Sequence, residues 1–326
     1  MKKLFAAVCC ILMLFSSAAC AGGQATAPFD TERPWGTPTN AFEQCSYTLQ
    51  IFERVRVDGA WADGQELATG GFTQTLNASG AGKDGLASVA SELSVSWKDL
   101  PECAENRGKT DLMESAVVFS AASMAPVSSQ KTMTLDVRAD ADGASYNHSY
   151  DYSADYAALT SHIKFGKNAS GDYSDPKTIA IPSGTKYDNE QLFYLLRAHR
   201  NLKPGAGVAF NVNNVADNYI RDNNNLAPMT ASASSETVKK ELGAFMLDYA
   251  ESAEIECMLV LLSLSGTDSG PAHRFYIAEP GIRFGKGNIK TAKIIVGYEY
   301  TLYTSAGTEQ FRYVYTLTGY TTKRSA

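Results

Sequence analysis

Period-two alternation of apolar and polar residues dominates the chain. Cys45, Tyr47, Leu49, Ile51, Val55 and Val57 share one face, and Gln44, Ser46, Thr48, Gln50, Arg54 and Arg56 the other, with Phe52 and Glu53 breaking the phase. That pattern predicts a long strand with one wet face, and Asp58-Gly59 predicts the turn that ends it. Val89, Leu93, Val95 and Trp97 alternate in the same way. Met133, Leu135 and Val137 lead through Asp140-Ala141-Asp142-Gly143 into Tyr146–Tyr152, which reads as a hairpin. Near the C-terminus, a loop at Ser305-Ala306-Gly307-Thr308 sets a register. Thr304 then faces Glu309, Leu302 faces Phe311, Tyr300 faces Tyr313, Tyr298 faces Tyr315 and Val296 faces Leu317. On the opposite face Thr301 meets Arg312, with Glu299 as a diagonal neighbour. A one-residue slip would put the aromatic pairs on opposite faces of the sheet.

One helix interrupts the strands. Asp188 is placed to cap it, Gln191 completes a capping box, and Tyr187 and Leu192 stand as a hydrophobic staple. Leu192, Leu195, Leu196 and His199 mark its buried face, and Pro204-Gly205 closes it. A second helical pattern runs through Val238, Leu242, Phe245, Met246 and Tyr249, with Gly243 against it. Cys257–Leu264 is continuously apolar and suits a strand covered on both faces. The fold expected is mainly β, a strongly curved antiparallel sheet or half-barrel with one or two helices against its concave face. The regions before and after the helix read as two halves of one curved sheet.

The N-terminus reads as an address. Lys2 and Lys3 precede an apolar run from Leu4 to Phe15, followed by Ser17-Ala18-Ala19-Cys20, the three-part pattern of a secretory signal. The last four residues resemble a bacterial lipobox, with Ser17 where leucine is usual. This implies acylation of Cys20 and an extracytoplasmic, membrane-anchored protein; ordinary cleavage to a secreted or periplasmic product is the other reading. The boundaries expected are a signal over 1–20, a Gly/Ala/Thr/Pro-rich tether over 21–40, one β-rich domain over 41–322 and a tail over 323–326.

Composition narrows the field. The chain has 326 residues, 29 Lys+Arg against 35 Asp+Glu, 4 His and 6 Cys. Removing Lys2 and Lys3 with the leader takes the net charge from −6 to −8. An acidic body argues against nucleic-acid binding and leaves membrane attachment to acyl chains. Cys45, Cys103 and Cys257 remain beyond Cys20. Cys45–Cys103 is the preferred disulfide, with three unpaired buried thiols as the alternative.

Catalytic and metal motifs are weak. Ser-x-x-Lys occurs at Ser128/Lys131, Ser161/Lys164, Ser174/Lys177 and Ser183/Lys186, without the companion motifs of penicillin-binding enzymes. Asp140-Ala141-Asp142 begins like a calcium loop, but the twelfth position is Asp151 rather than Glu. Neither a zinc-spaced histidine pair nor a dinucleotide fingerprint stands in the sequence, so neither cofactor nor metal is expected. His199 is read as a helix-end residue. The 17 tyrosines suit sheet packing, or else an amphipathic lining for a cavity.

The segment Gln191-Leu192-Phe193-Tyr194-Leu195-Leu196-Arg197-Ala198, followed by Leu202-Lys203-Pro204-Gly205, is similar to one in exported bacterial proteins of unknown function. So is the later order of Glu256-Cys257, Phe275-Tyr276-Ile277-Ala278 and Val296–Tyr303. His199-Arg200 stand where that family often has Leu-Pro. The resemblance implies a curved sheet like that of the LolA/LolB-type lipoprotein carriers and supplies no catalytic residues. The function expected is non-enzymatic: binding of an apolar or lipid-like ligand in the concave face, with Leu192, Leu195, Leu196, Tyr298, Tyr300, Tyr313 and Tyr315 as lining. The alternatives are a structural or protein-interaction component of the envelope with a filled core, and an envelope hydrolase using two carboxylates.

Overall fold

In a computed structural model, the described residues are 40–78, 85–136, 149–166, 175–199, 201–213, 229–241, 254–263, 273–278, 293–303 and 307–324, with the short pairs 138–139, 145–146, 283–284 and 289–290. Fifteen strands form one sheet. Before the helix come β1 (Asn40–Val57), β2 (Ala60–Asn77), β3 (Leu86–Trp97), β4 (Thr110–Ser120), β5 (Pro126–Leu135), β6 (Tyr150–Asp155), β7 (Thr160–Phe165) and β8 (Lys177–Ala180). After β9 (Tyr187–Asp188) and α1 (Leu192–Ala198) come β10 (Gly207–Asn213), β11 (Met229–Glu241), β12 (Glu254–Ser263), β13 (His273–Ala278), β14 (Ile295–Tyr303) and β15 (Glu309–Arg324).

The spatial order is β8-β7-β6-β5-β4-β3-β2-β1-β15-β14-β13-β12-β11-β10-β9. The two expected halves are therefore meanders, stitched where β1 pairs with β15 (Leu49 opposite Tyr315, Ile51 opposite Tyr313). Every ladder is antiparallel except the short β9–β10 bridge. No backbone ladder joins β8 to β9 among the described residues, so the sheet does not close into a barrel. Residues 181–186 cross this seam instead, with the Ile181 N–H on the Leu159 carbonyl (2.9 Å) and the Lys186 N–H on that of Asn211 (3.0 Å).

Alternation decides which face is inside. Cys45, Tyr47, Leu49 and Ile51 line the interior of β1, and Val89, Leu93, Val95 and Trp97 that of β3. The phase of β1 breaks where two register shifts flank Phe52, and Val57 ends up exposed. Asp58 and Gly59 both take positive φ (52° and 83°), as a two-residue hairpin turn requires. The aromatic register holds: Tyr298 faces Tyr315, Tyr300 faces Tyr313, Leu302 faces Phe311, and Thr301 faces Arg312. At the loop it corrects the expectation, because a shift after Leu302 puts Tyr303, not Thr304, opposite Glu309. The pairing of Met133 with Tyr150 makes the expected hairpin, whose Asp140–Gly143 tip lies outside the described residues. Cys257, Met258, Leu259, Val260 and Leu262 are buried on both faces of β12, as a continuous apolar run demands.

Two helical expectations change. The first helix is a 3₁₀ turn (Asn189–Gln191) leading into α1, and it ends at Ala198 with His199 already extended. The second does not begin at Val238, which lies in β11 opposite Cys257; Leu242, Phe245, Met246 and Tyr249 fall outside the described residues.

Candidate functional site

The concave face holds α1 and the 3₁₀ turn before it. The capping box forms as the sequence predicts: the Asp188 N–H donates to Gln191 Oε1 and the Glu190 N–H to Asp188 Oδ1, both at 2.9 Å. All seven residues of α1 are buried, because a short helix inside a curved sheet has walls on every side. Phe193 sits in an aromatic cage, its ring 5.3 Å from Phe72 and 5.0 Å from both Phe275 and Tyr298. Tyr300 stacks on Tyr313 at 4.3 Å, and Tyr194 lies 5.8 Å from Phe119.

Two interior ion pairs fix the helical segment at its ends. Arg197 grips Glu43 with Nη1 and Nη2 (2.5 and 3.0 Å) and donates from Nε to the Lys293 carbonyl. Burial works against its charge, but the Glu43 carboxylate outweighs that and holds the guanidinium protonated. Tyr320 also donates to Glu43 (3.0 Å). At the other end, Lys131 Nζ donates to Glu190 Oε1 (2.7 Å) and Ser115 to Oε2 (3.1 Å). Beside it, Tyr156 donates to Asp188, and Asn213 donates to Tyr152 and Tyr156 (2.8 and 3.0 Å). These bonds tie β10 to β6 and its turn, across the seam that no ladder closes. Burial pushes the Asp188 carboxyl above its ordinary range.

Between the Lys131–Glu190 pair and the aromatic cage lies a cavity of about 30 Å³, lined by Phe72, Leu93, Met113, Lys131, Asn189, Glu190, Phe193, Tyr298, Tyr300 and Tyr315. One water needs roughly 15 Å³, so one or two fit. The buried Asn189 Oδ1 has no hydrogen-bond partner among the described residues. Of the residues expected to line a ligand cavity, Tyr298, Tyr300 and Tyr315 border this space. Leu192, Leu195, Leu196 and Tyr313 are buried in the surrounding core and do not border it.

The expected disulfide does not form: Cys45 and Cys103 are buried and not joined to each other, and Cys257 is buried as well. Cys45 stands opposite Gln74 of β2, whereas the Cys103 thiol lies on the Leu67 carbonyl (3.4 Å). Leu67 and Gln74 lie seven residues apart along one strand, about 23 Å, against the roughly 6 Å between Cα atoms that a disulfide spans. Burial, with the Glu43 carboxylate adding to it, pushes the Cys45 thiol up to about 12. His199 lies edge-on to Phe210, and burial lowers it to about 4. Cys20 lies outside the described residues.

Glu43, Asp111, Lys131 and Arg197 are the interior polar residues that alternation alone passes over. Their signal is phase: Glu43 precedes Cys45 and Tyr47 in the apolar register, Lys131 precedes Met133, and Asp111 precedes Met113. Asp111 accepts a hydrogen bond from Trp97 Nε1 (3.0 Å). On the outer face, a chain of alternating charges runs from Lys240 through Glu299 (2.8 Å) and Arg312 (2.8 Å) to Asp63, Arg54 and Glu309 (2.7 Å). Lys240 also caps the Tyr276 ring at 4.1 Å. Burial pushes Glu299 up, but hydrogen bonds from Lys240 and Arg312 outweigh it and hold the carboxyl below its ordinary value.

No family profile matches the chain, and no curated protein is similar to it. Among solved structures it is similar to a β-barrel-like protein of a domain of unknown function (DUF1849) from Brucella abortus. That alignment has 10% identity, covers 87% of this chain and 99% of that one, and has a TM-score of 0.46. A porin-like protein from Bacteroides uniformis aligns with 9% identity over 89% of this chain and all of that one, with a TM-score of 0.18. Neither likeness is strong enough to assign a family.

Proposed function

We propose that this chain is a lipid-anchored, extracytoplasmic module of the bacterial envelope, without enzymatic activity, whose interior is a permanent core and which works through contacts of its surface. The observation carrying this reading is the occupied concave face. A seven-residue helix is about 10 Å long and 10 Å across, so α1 fills roughly 800 Å³, the size of a drug-like ligand's pocket. The cavity described above, beside the 3₁₀ turn, has room for one or two waters.

A ligand seated where α1 lies would have to displace this helix, and the magnitudes weigh against that. Leu192, Phe193, Leu195 and Leu196 are all buried, at about 1.5–3 kcal/mol each, or roughly 6–12 kcal/mol together. That rivals the whole stability of a typical domain, about 5–15 kcal/mol, before either ion pair is broken.

Native mass spectrometry of the detergent-extracted protein, together with a fluorescent fatty-acid titration, tests the reading. Expected are acyl chains on Cys20, no retained lipid and no saturable uptake. One lipid retained per chain, or saturable uptake, would restore ligand binding as the function. Its head group would then be sought at Lys131, where the cavity meets the aromatic cage.

A further inference from the structure

Three neighbouring segments at one end of the sheet carry no charge. At the end where β1 begins, Leu86 starts β3 opposite Ser120, the β4–β5 turn follows, and the β6–β7 turn lies next along the rim. Residues 85–87, 120–127 and 156–159 carry no charged side chain, in a chain where 20% of residues are charged. The bordering Asp155 turns its carboxylate onto the N–H groups of Ala157 and Ala158 (2.9 and 3.0 Å). At the opposite end, the single connection between β3 and β4 carries Lys98, Asp99, Glu102, Glu105, Arg107 and Lys109.

These uncharged segments also hold exposed apolar side chains. Among the described residues, five large hydrophobics are exposed, and three of them, Leu86 (36%), Val127 (42%) and Leu159 (48%), lie here. Leu159 sits at the tip of its turn with φ +52°, a left-handed conformation that leucine seldom takes. The same end receives the N-terminal segment: Asn40 pairs with Arg324 at the start of β1, two strands from Leu86. Residues 1–39 include the apolar run Leu4–Phe15 and Cys20.

We propose that this rim, with Leu86, Val127 and Leu159 as its apolar contacts, rests on the bilayer surface. Exposed leucines at such a boundary enter the headgroup–acyl interface. The three uncharged segments also add no repulsion between a body of negative net charge and anionic lipid. The orientation rests on the tethered reading above.

The test is a depth measurement on the full chain in vesicles of phosphatidylethanolamine and phosphatidylglycerol containing doxyl-labelled lipid. A fluorophore is placed on Leu86→Cys, Leu159→Cys or, at the far end, Arg107→Cys; Cys45, Cys103 and Cys257 are buried, and the parent chain labelled in parallel corrects for any dye on an unacylated Cys20. The result expected is loss of fluorescence at positions 86 and 159 and none at 107. Equal quenching at all three, or quenching at 107 alone, overturns the proposal. Mass analysis of the N-terminal fragment separates the two readings. Quenched rim labels without acyl chains remove the tether and keep the rim; acylated protein with unquenched rim labels does the reverse.

Discussion

Gly70 and Gly71 are adjacent in β2, yet the structure gives them opposite consequences on substitution. A Cβ at Gly70 would lie 1.9 Å from the Ser94 carbonyl oxygen and 3.0 Å from its carbon, whereas at Gly71 the nearest atom is 3.7 Å away. Both take ordinary negative φ, so the contrast is steric. Gly70→Ala must push β3 away by about 1.5 Å to restore ordinary contact. Losing two ladder hydrogen bonds costs about 1 kcal/mol each, and overpacking the sheet about 1–3 more. The expected destabilisation is about 3–5 kcal/mol. Gly71→Ala meets open space and restricts the unfolded chain, for an expected gain of about 0.4–1 kcal/mol. Urea unfolding of the two variants beside the parent measures the difference directly. Equal midpoints would refute the reasoning and with it the close approach of the β3 backbone at Gly70.

Three further substitutions follow. Arg197→Ala strands Glu43 in the interior and is expected to cost about 3–5 kcal/mol; Glu43→Leu in the same chain should recover much of that loss, and a double-mutant cycle by chemical denaturation checks the coupling. Phe193→Ala is expected to cost about 3–5 kcal/mol and to leave a cavity in the aromatic cage, visible as xenon binding in a crystal, so a collapsed, xenon-free site would count against the cage as described. Burial lowers His273 to about 3, so it is neutral in the folded chain while the unfolded chain takes up a proton below about 6.5. Its contribution to stability is therefore present above pH 6.5 and lost as the pH falls towards 3. His273→Phe should remove about one proton from the slope of stability against pH in that window, and an unchanged slope would place His273 elsewhere than against Tyr298.

The halves of the sheet were legible because period-two alternation and burial are the same fact seen twice. The register of β14 and β15 was legible from the loop position together with Tyr298, Tyr300, Tyr313 and Tyr315, since a slip would have put the partners on opposite faces. The capping box at Asp188 and Gln191 was legible for a local reason: its partners lie within one turn. What sequence could not supply were long-range polar contacts. Glu43 and Arg197 are 154 residues apart, and alternation has no term for a charge whose partner arrives from a distant helix. The disulfide failed for the same reason, because spacing along the chain says nothing of where Leu67 carries Cys103. A cavity and a filled core give identical strand patterns, so only the position of α1 could separate them.

That position follows from topology. The chain completes eight strands, crosses the seam at residues 181–186 and lays down β9 at the opposite edge, and because β9 and β10 are parallel neighbours the segment joining them must cross over a face of the sheet. A segment there meets apolar walls, and an all-buried Leu-Phe-Tyr-Leu-Leu helix with charges only near its ends suits that place. The same ordering puts β1 in the middle of the sheet, flanked by β2 and β15. Under the tethered reading, tension from the membrane enters at Asn40 and runs along a strand laddered on both sides almost from its start. It loads those hydrogen bonds together in shear. Entry at the edge strand β8 would peel them one at a time. A filled interior adds resistance, since shearing β1 also drags Glu43 from Arg197 and Tyr47 from the Ile295 carbonyl that its hydroxyl holds at 2.9 Å. The arrangement suits a body that must stay folded while held at one end, and it achieves this with Cys45 and Cys103 buried and unjoined.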